Sequence, residues 1–151
     1  MYQKALVPLD GSPLAECVLS HIKNLAKEGF IKEITILNVV KFDIPWGGEY
    51  PERIDLNALR EPLFAASRKY LGEVESRLAS EGIKVRTESR EGNRPADTIT
   101  DFAREKGMDA IIIATHGYTG LKRLMLGSVA MSVLHDSSVP VILIRPEACR
   151  V

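Results

Sequence analysis

Ala110-Ile111-Ile112-Ile113-Ala114-Thr115-His116-Gly117 is a short apolar run closed by a glycine, and ten positions after that glycine Gly127-Ser128-Val129-Ala130 opens a segment of helical periodicity. A run of this length, rich in isoleucine and apolar on every residue, is a strand covered on both faces. A covered strand that hands over to a helix is half of a parallel βαβ unit, so the reading of this one stretch sets the class of the fold.

Working outward, four more runs are of the same kind: Ala5 to Leu9, Ile34 to Val40, Ile83 to Thr87 and Val141 to Ile144. The segments between them carry apolar residues three and four apart. Leu14, Val18, Ile22 and Leu25 form one stripe, with Ser12-Pro13 as cap and first turn and Gly29 as the stop. A second helix is expected from near Pro62, through Leu63, Tyr70, Val74 and Leu78, to a stop at Gly82. Ile99, Phe102 and Ala103 mark a third before Gly107, and Val129, Val133 and Leu134 a fourth. Strand and helix alternate from end to end, the pattern of an open, doubly wound parallel sheet. No internal repeat or domain boundary interrupts it, so residues 1–151 are expected to form one domain. The irregular stretch is Lys41 to Leu59, containing Trp46, Gly47, Gly48 and Tyr50, which reads as a lid or a flexible excursion.

Twenty basic residues balance twenty acidic ones, which leaves no global field to draw the chain onto nucleic acid or an anionic membrane. Any phosphate must be held locally. Cys17 and Cys149 form neither a disulfide framework nor a metal cluster by spacing, and Cys17 reads as a core residue. The first residues run straight into Ala5-Leu6-Val7 without the pattern of a signal peptide, and the longest apolar stretches fall far below the roughly 20 residues of a spanning helix. The expectation is a cytoplasmic protein.

In open sheets of this kind ligands bind beyond the carboxyl ends of the strands, where the strand order reverses. That rule points to Pro8-Leu9-Asp10-Gly11-Ser12, to Asn38-Val39-Val40 and to Thr115-His116-Gly117. Amides near glycines and at a helix start make an anion site, so a polyphosphate could lie across Gly117, Gly127, Ser128 and Val129, with Lys122 and Arg123 near its charge. Turn chemistry and helix capping explain the same residues in a blander way. The spacing matches neither the dinucleotide fingerprint nor a P-loop. Asp10 is a ligand contact or a turn acceptor; Trp46 and Tyr50 stack on a base or pin a loop. His116 has no nucleophile or carboxylate partner close in sequence and reads as a loop-shaping residue, so no catalytic residue is assigned.

The segment from residue 114 to 128 resembles the signature of the universal stress protein family: a glycine, two residues, a glycine, nine residues, and a glycine followed by Ser or Thr. Gly117 and Gly127-Ser128 match, while Ala114 stands at the first glycine position. Leu6-Val7-Pro8-Leu9-Asp10-Gly11-Ser12 and Leu37-Asn38-Val39-Val40 are similar to that family's first two strands, and Gly127-Ser128-Val129-Ala130 with Ser138-Val139-Pro140-Val141 to its closing helix and strand. The resemblance implies a Rossmann-like, adenine nucleotide alpha-hydrolase-like sheet of five parallel strands in the order 3-2-1-4-5.

It also implies ATP, with magnesium, as the ligand. Asp10 would meet the ribose or the metal-phosphate group, the only part the protein would take in holding the metal, and Val39 would offer its backbone to adenine. Pro8, Ala114, Thr115, His116 and Gly117 would line the ribose and phosphates, and Gly127, Ser128 and Val129 would donate to the phosphates. A nucleotide-dependent regulatory or stress-response module is the function expected. The alternatives are a non-nucleotide dimeric interaction protein of the same family and a slow magnesium-dependent ATPase. A homodimer through Val141 to Ile144 is expected, because so apolar a strand at a sheet edge calls for a partner.

Overall fold

The computed structural model describes residues 1–42, 55–115 and 127–145. In chain order the elements are β1 (Tyr2–Pro8), α1 (Pro13–Glu16), α2 (Val18–Lys27), β2 (Ile31–Val40), α3 (Leu56–Ser80), β3 (Arg86–Glu91), α4 (Pro95–Glu105), β4 (Ala110–Ala114), α5 (Ser128–Asp136) and β5 (Val141–Ile144). All the strands are parallel and lie in the order β3-β2-β1-β4-β5, as expected.

Each face of the sheet is covered by its own apolar layer, which is why the strands are apolar on successive residues rather than alternate ones. On one face Ala5, Val7 and Leu9 of the β1 segment pack with Ile34, Ile36 and Ile112 against Ile22 of α2 and Leu71, Val74 and Leu78 of α3. On the other, Leu6, Leu37, Ile111 and Ile113 meet Ile99 and Phe102 of α4 and Ala130 and Val133 of α5. The amino-terminal ends of β1 and β4 are tied by Asp109, whose carboxylate accepts from the amides of Gln3 and Lys4 at 2.8 and 3.0 Å.

Local chemistry sets the helix ends. The Ser12 hydroxyl accepts from the Ala15 amide at 3.1 Å, with Pro13 at the first helical position. Gly82 ends α3 with φ +80°, and the Ile83 amide then donates back to the Leu78 carbonyl at 2.9 Å, the hydrogen bond that defines a Schellman close. Gly29 and Gly107 close α2 and α4 in the same way.

Three expectations are corrected. α3 begins at Leu56, six residues before Pro62, because Asp55 caps it by accepting from the amides of Asn57 and Ala58 at 3.0 and 3.3 Å. Pro62 lies inside the helix, where both it and Ala58 are exposed, so the carbonyl that proline leaves without its helical donor faces water. The third strand is Arg86–Glu91 rather than Ile83 to Thr87: Ile83 and Val85 are core residues on the approach, and the strand itself is polar because it is a sheet edge. Cys17, half-buried at the break between α1 and α2, is disulfide-bonded, its partner lying outside the described residues.

The glycines give a test with two signs. Gly82→Ala places a side chain at positive φ and is expected to lower stability by about 1 kcal/mol or more. At Gly72, inside α3, an added Cβ meets nothing within 4 Å, so Gly72→Ala is expected to raise stability by about 0.5–1 kcal/mol. Urea unfolding of the two variants beside the parent checks both.

Candidate functional site

The chain runs leftward from β1 through β2 to β3 and then returns to the other side of β1 as β4, so the strand order reverses between β1 and β4. Their registered pairs are Ala5 with Ala110 and Leu6 with Ile111, and the carboxyl-terminal continuations of both strands border a cleft of about 580 Å³. This is the place where an open sheet binds ligands, and the volume lies within the range of small-molecule sites.

Pro8, Asp10, Val39, Ala114, Thr115, Gly127, Ser128 and Val129, all named from the sequence, line the cleft together. His116 and Gly117 lie outside the described residues, as do Trp46, Tyr50, Lys122 and Arg123. Leu37, Ile99 and Ile113 give the cleft an apolar interior, with Pro95 and Lys41 also on its walls. None of these five was expected at the site. Lys41 directly follows the flagged Asn38-Val39-Val40, and Pro95 opens the helix after β3, so a closer reading of the residues next to strand ends would have found both.

Each rim has a distinct chemistry. On one, the exposed Asp10 carboxylate accepts from the Ser12 amide at 2.8 Å, which folds the chain into a tight turn between β1 and α1. Asp10 is therefore a turn acceptor, and it also stands at the mouth of the cleft. On another part of the lining α5 begins. Its cap is Gly127, which has no side chain to satisfy the first amides of the helix, so those of Ser128, Val129 and Ala130 have no intrahelical acceptor. They carry the positive end of the helix dipole. The Gly127 amide donates to the Thr115 carbonyl at 2.6 Å, which pins the start of α5 to the end of β4.

Ala114 is the last residue of β4, paired with Ile144, and the described chain contains no non-glycine residue at positive φ. The backbone here is extended and accepts an alanine without strain, while the methyl group lies in the cleft wall, 5 % exposed. Behind the Asp10 turn, Tyr70 of α3 donates its hydroxyl to Glu16 of α1 at 3.0 Å, and Glu16 also accepts from Arg77. Burial, then this bond to a carboxylate, hold the Tyr70 phenol well above its ordinary value, so it stays a neutral donor. Among the described residues no group of three or more His, Cys, Asp or Glu side chains could hold a metal by itself, and no helix is long and apolar enough to cross a membrane.

Residues 1–145 match the family model described as the universal stress protein family. The chain is 34% identical over 145 residues to the universal stress protein MJ0531 of Methanocaldococcus jannaschii, covering 96% of this chain and 83% of that one. It is 32% identical over 150 residues to the universal stress protein YxiE of Bacillus subtilis, covering 96% of this chain and all of that one. The solved structure of MJ0577 from M. jannaschii superposes with a TM-score of 0.78 at 30% identity, over 96% of both chains. The same fold recurs in universal stress proteins solved with AMP, from Arabidopsis thaliana, and with dAMP, from Archaeoglobus fulgidus, at TM-scores of 0.66 and 0.61 and identities of 17% and 24%, covering 95% of this chain and 91% and 98% of those. A further one was solved with cAMP, at a TM-score of 0.63 and 19% identity, covering 96% of this chain and 98% of that one. On the family match and on relatives of this identity and coverage, the chain belongs to the universal stress protein family.

Proposed function

We propose that this protein binds ATP, with magnesium, in the cleft between β1 and β4 and acts in the cytoplasm as a nucleotide-dependent regulatory module of a stress response. The observation that carries the reading is the arrangement of the cleft: an apolar interior between a helix start with unfilled amides and a carboxylate. An adenine nucleotide has the same sequence of parts, a flat apolar base, a ribose with paired hydroxyls and an anionic tail. Relatives of the same fold hold adenine nucleotides, which supports the assignment without fixing the number of phosphates.

In this reading the base lies among Leu37, Ile99 and Ile113 with the Val39 backbone at its edge. Asp10 accepts from the ribose hydroxyls or meets the metal-phosphate group. The amides of Ser128, Val129 and Ala130, with the Ser128 hydroxyl, take the phosphates, an anion site that needs no catalytic group. A magnesium ion commonly binds through one or two carboxylates together with substrate phosphates, and a lone Asp10 suits that role better than an all-protein cage. The effect of occupancy is to tie the two rims together, so that the bound state is selected over the open one.

Calorimetric titration with Mg-ATP tests the site, beside mass spectrometry of any nucleotide that leaves the purified protein on denaturation. Asp10→Ala is expected to weaken binding about tenfold or more, through loss of a hydrogen bond to a charged acceptor. Ser128→Glu separates function from fold. A carboxylate at a helix start favours the helix by about 0.3–1 kcal/mol, yet it repels a phosphate at the same amides. The expected result is an unchanged or raised melting temperature with nucleotide binding lost. A parent protein that shows no heat with Mg-ATP and releases no adenine nucleotide overturns the reading.

We also propose that two copies associate through β5. The sheet has two unlike edges: β3 is Arg-Thr-Glu-Ser-Arg-Glu, a charged edge that resists pairing, whereas β5 is Val-Ile-Leu-Ile and all four residues remain partly exposed. Met131 and Leu134 on the neighbouring α5 are 55 % and 48 % exposed. Size-exclusion chromatography with light scattering is expected to give a dimer at micromolar concentration, and a clean monomer rejects the interface.

A further inference from the structure

Beneath the Asp10 turn lies a chain of polar side chains that the nucleotide reading does not use. Asn38 of β2 donates through Nδ2 to the Leu9 carbonyl at 2.8 Å, and its Oδ1 accepts from the Ser67 hydroxyl of α3 at 2.6 Å. The Ser67 oxygen lies 2.6 Å from the Ser89 oxygen of β3, and Asn38 and Ser89 are partners in the β2–β3 register. Ser67 is 6 % exposed, so its hydroxyl has little water to fall back on, while Asn38 and Ser89 are half-buried.

The direction of every bond follows from counting protons. The Leu9 carbonyl can only accept, so the carboxamide must turn its NH2 toward it and its oxygen toward Ser67. Ser67 has one proton and spends it on that oxygen, which leaves Ser89 as the donor to Ser67. The relay runs one way, from Ser89 to Ser67 to Asn38 to Leu9, and ends on a backbone oxygen rather than on a ligand. That oxygen shares a rigid peptide plane with the Asp10 amide, so fixing one fixes the other. Leu9 is held from its other end as well, its amide donating to the Leu37 carbonyl at 2.9 Å. The carboxylate of Asp10 is then aimed by the Ser12 amide.

We propose that Asn38 is a positioning residue for Asp10: through the Leu9 carbonyl it sets the peptide plane that carries the carboxylate to the rim of the cleft, and Ser67 and Ser89 hold Asn38 in the one orientation that does so. Its consequence for ligand binding rests on the reading of Asp10 as a nucleotide contact, but the aiming itself is a property of the protein without ligand. Charge at this position is the sharpest probe. In Asn38→Asp at neutral pH an acceptor faces the Leu9 carbonyl, so the bond becomes a repulsion while size and shape are kept.

Hydrogen exchange of the nucleotide-free protein tests the aiming first. In Asn38→Asp the Ser12 amide, which donates to Asp10, is expected to exchange about tenfold faster or more, with the core amides of Ile22 and Leu78 unchanged relative to the parent. Ser67→Ala, a milder cut one bond earlier, is expected to move Ser12 in the same direction and serves if the first variant does not fold. Ser12 exchange equal to the parent in the folded variants overturns the proposal, as does acceleration spread evenly over the core. Titration with Mg-ATP then forms a cycle with Asp10→Ala. Asn38→Asp alone is expected to weaken binding about tenfold and to add nothing once Asp10 is gone, because it acts through that residue. Additive losses overturn the positioning role. A parent that does not bind Mg-ATP refutes the nucleotide reading while the exchange result still decides the relay.

Discussion

The hydrogen bonding of β1 along both of its edges constrains everything around it. Its partners β2 and β4 are both parallel to it, so all strand ends of one kind lie on one side of the sheet and each return must cross a face as a helix. Ala5, Leu6 and Val7 are wholly buried as a result, with apolar layers above and below. Because the chain leaves β1 toward β2 and comes back as β4, no crossover covers the carboxyl end between them. The cleft is what remains.

Where the ladder ends, backbone groups need other partners, and side chains supply them. Asp10 takes the Ser12 amide, Asn38 takes the Leu9 carbonyl, and Ser12 takes the Ala15 amide of α1. The α5 start is the exception, since its cap is a glycine and gives those amides nothing. Those amides carry the positive end of the helix dipole and border the cleft.

Much of this was legible in the residues. Apolar runs with three-and-four spacing between them fixed the class of sheet, and the Ser12 cap and the stops at Gly29, Gly82 and Gly107 were readable because each depends on a few neighbouring residues. Eight of the ten expected nucleotide contacts fall around one cleft among the described residues. The misreadings have separate causes. β3 is polar because only one of its edges is paired, so the apolar run from Ile83 marked the approach to the strand rather than its full length, and the start of α3 was placed near Pro62 when the cap at Asp55 supplied the stronger signal.

The sequence by itself determined the alternation of strand and helix, the helix ends and the segments beyond the strand ends, since these follow from interactions within a turn or two of the chain. Only the tertiary structure decided that Asn38, Ser67 and Ser89 meet beneath Asp10, and that Leu37 and Ile99 share a wall with Ser128. Such contacts join residues far apart in the chain, and their geometry exists only after the strands have paired and the helices have packed across them.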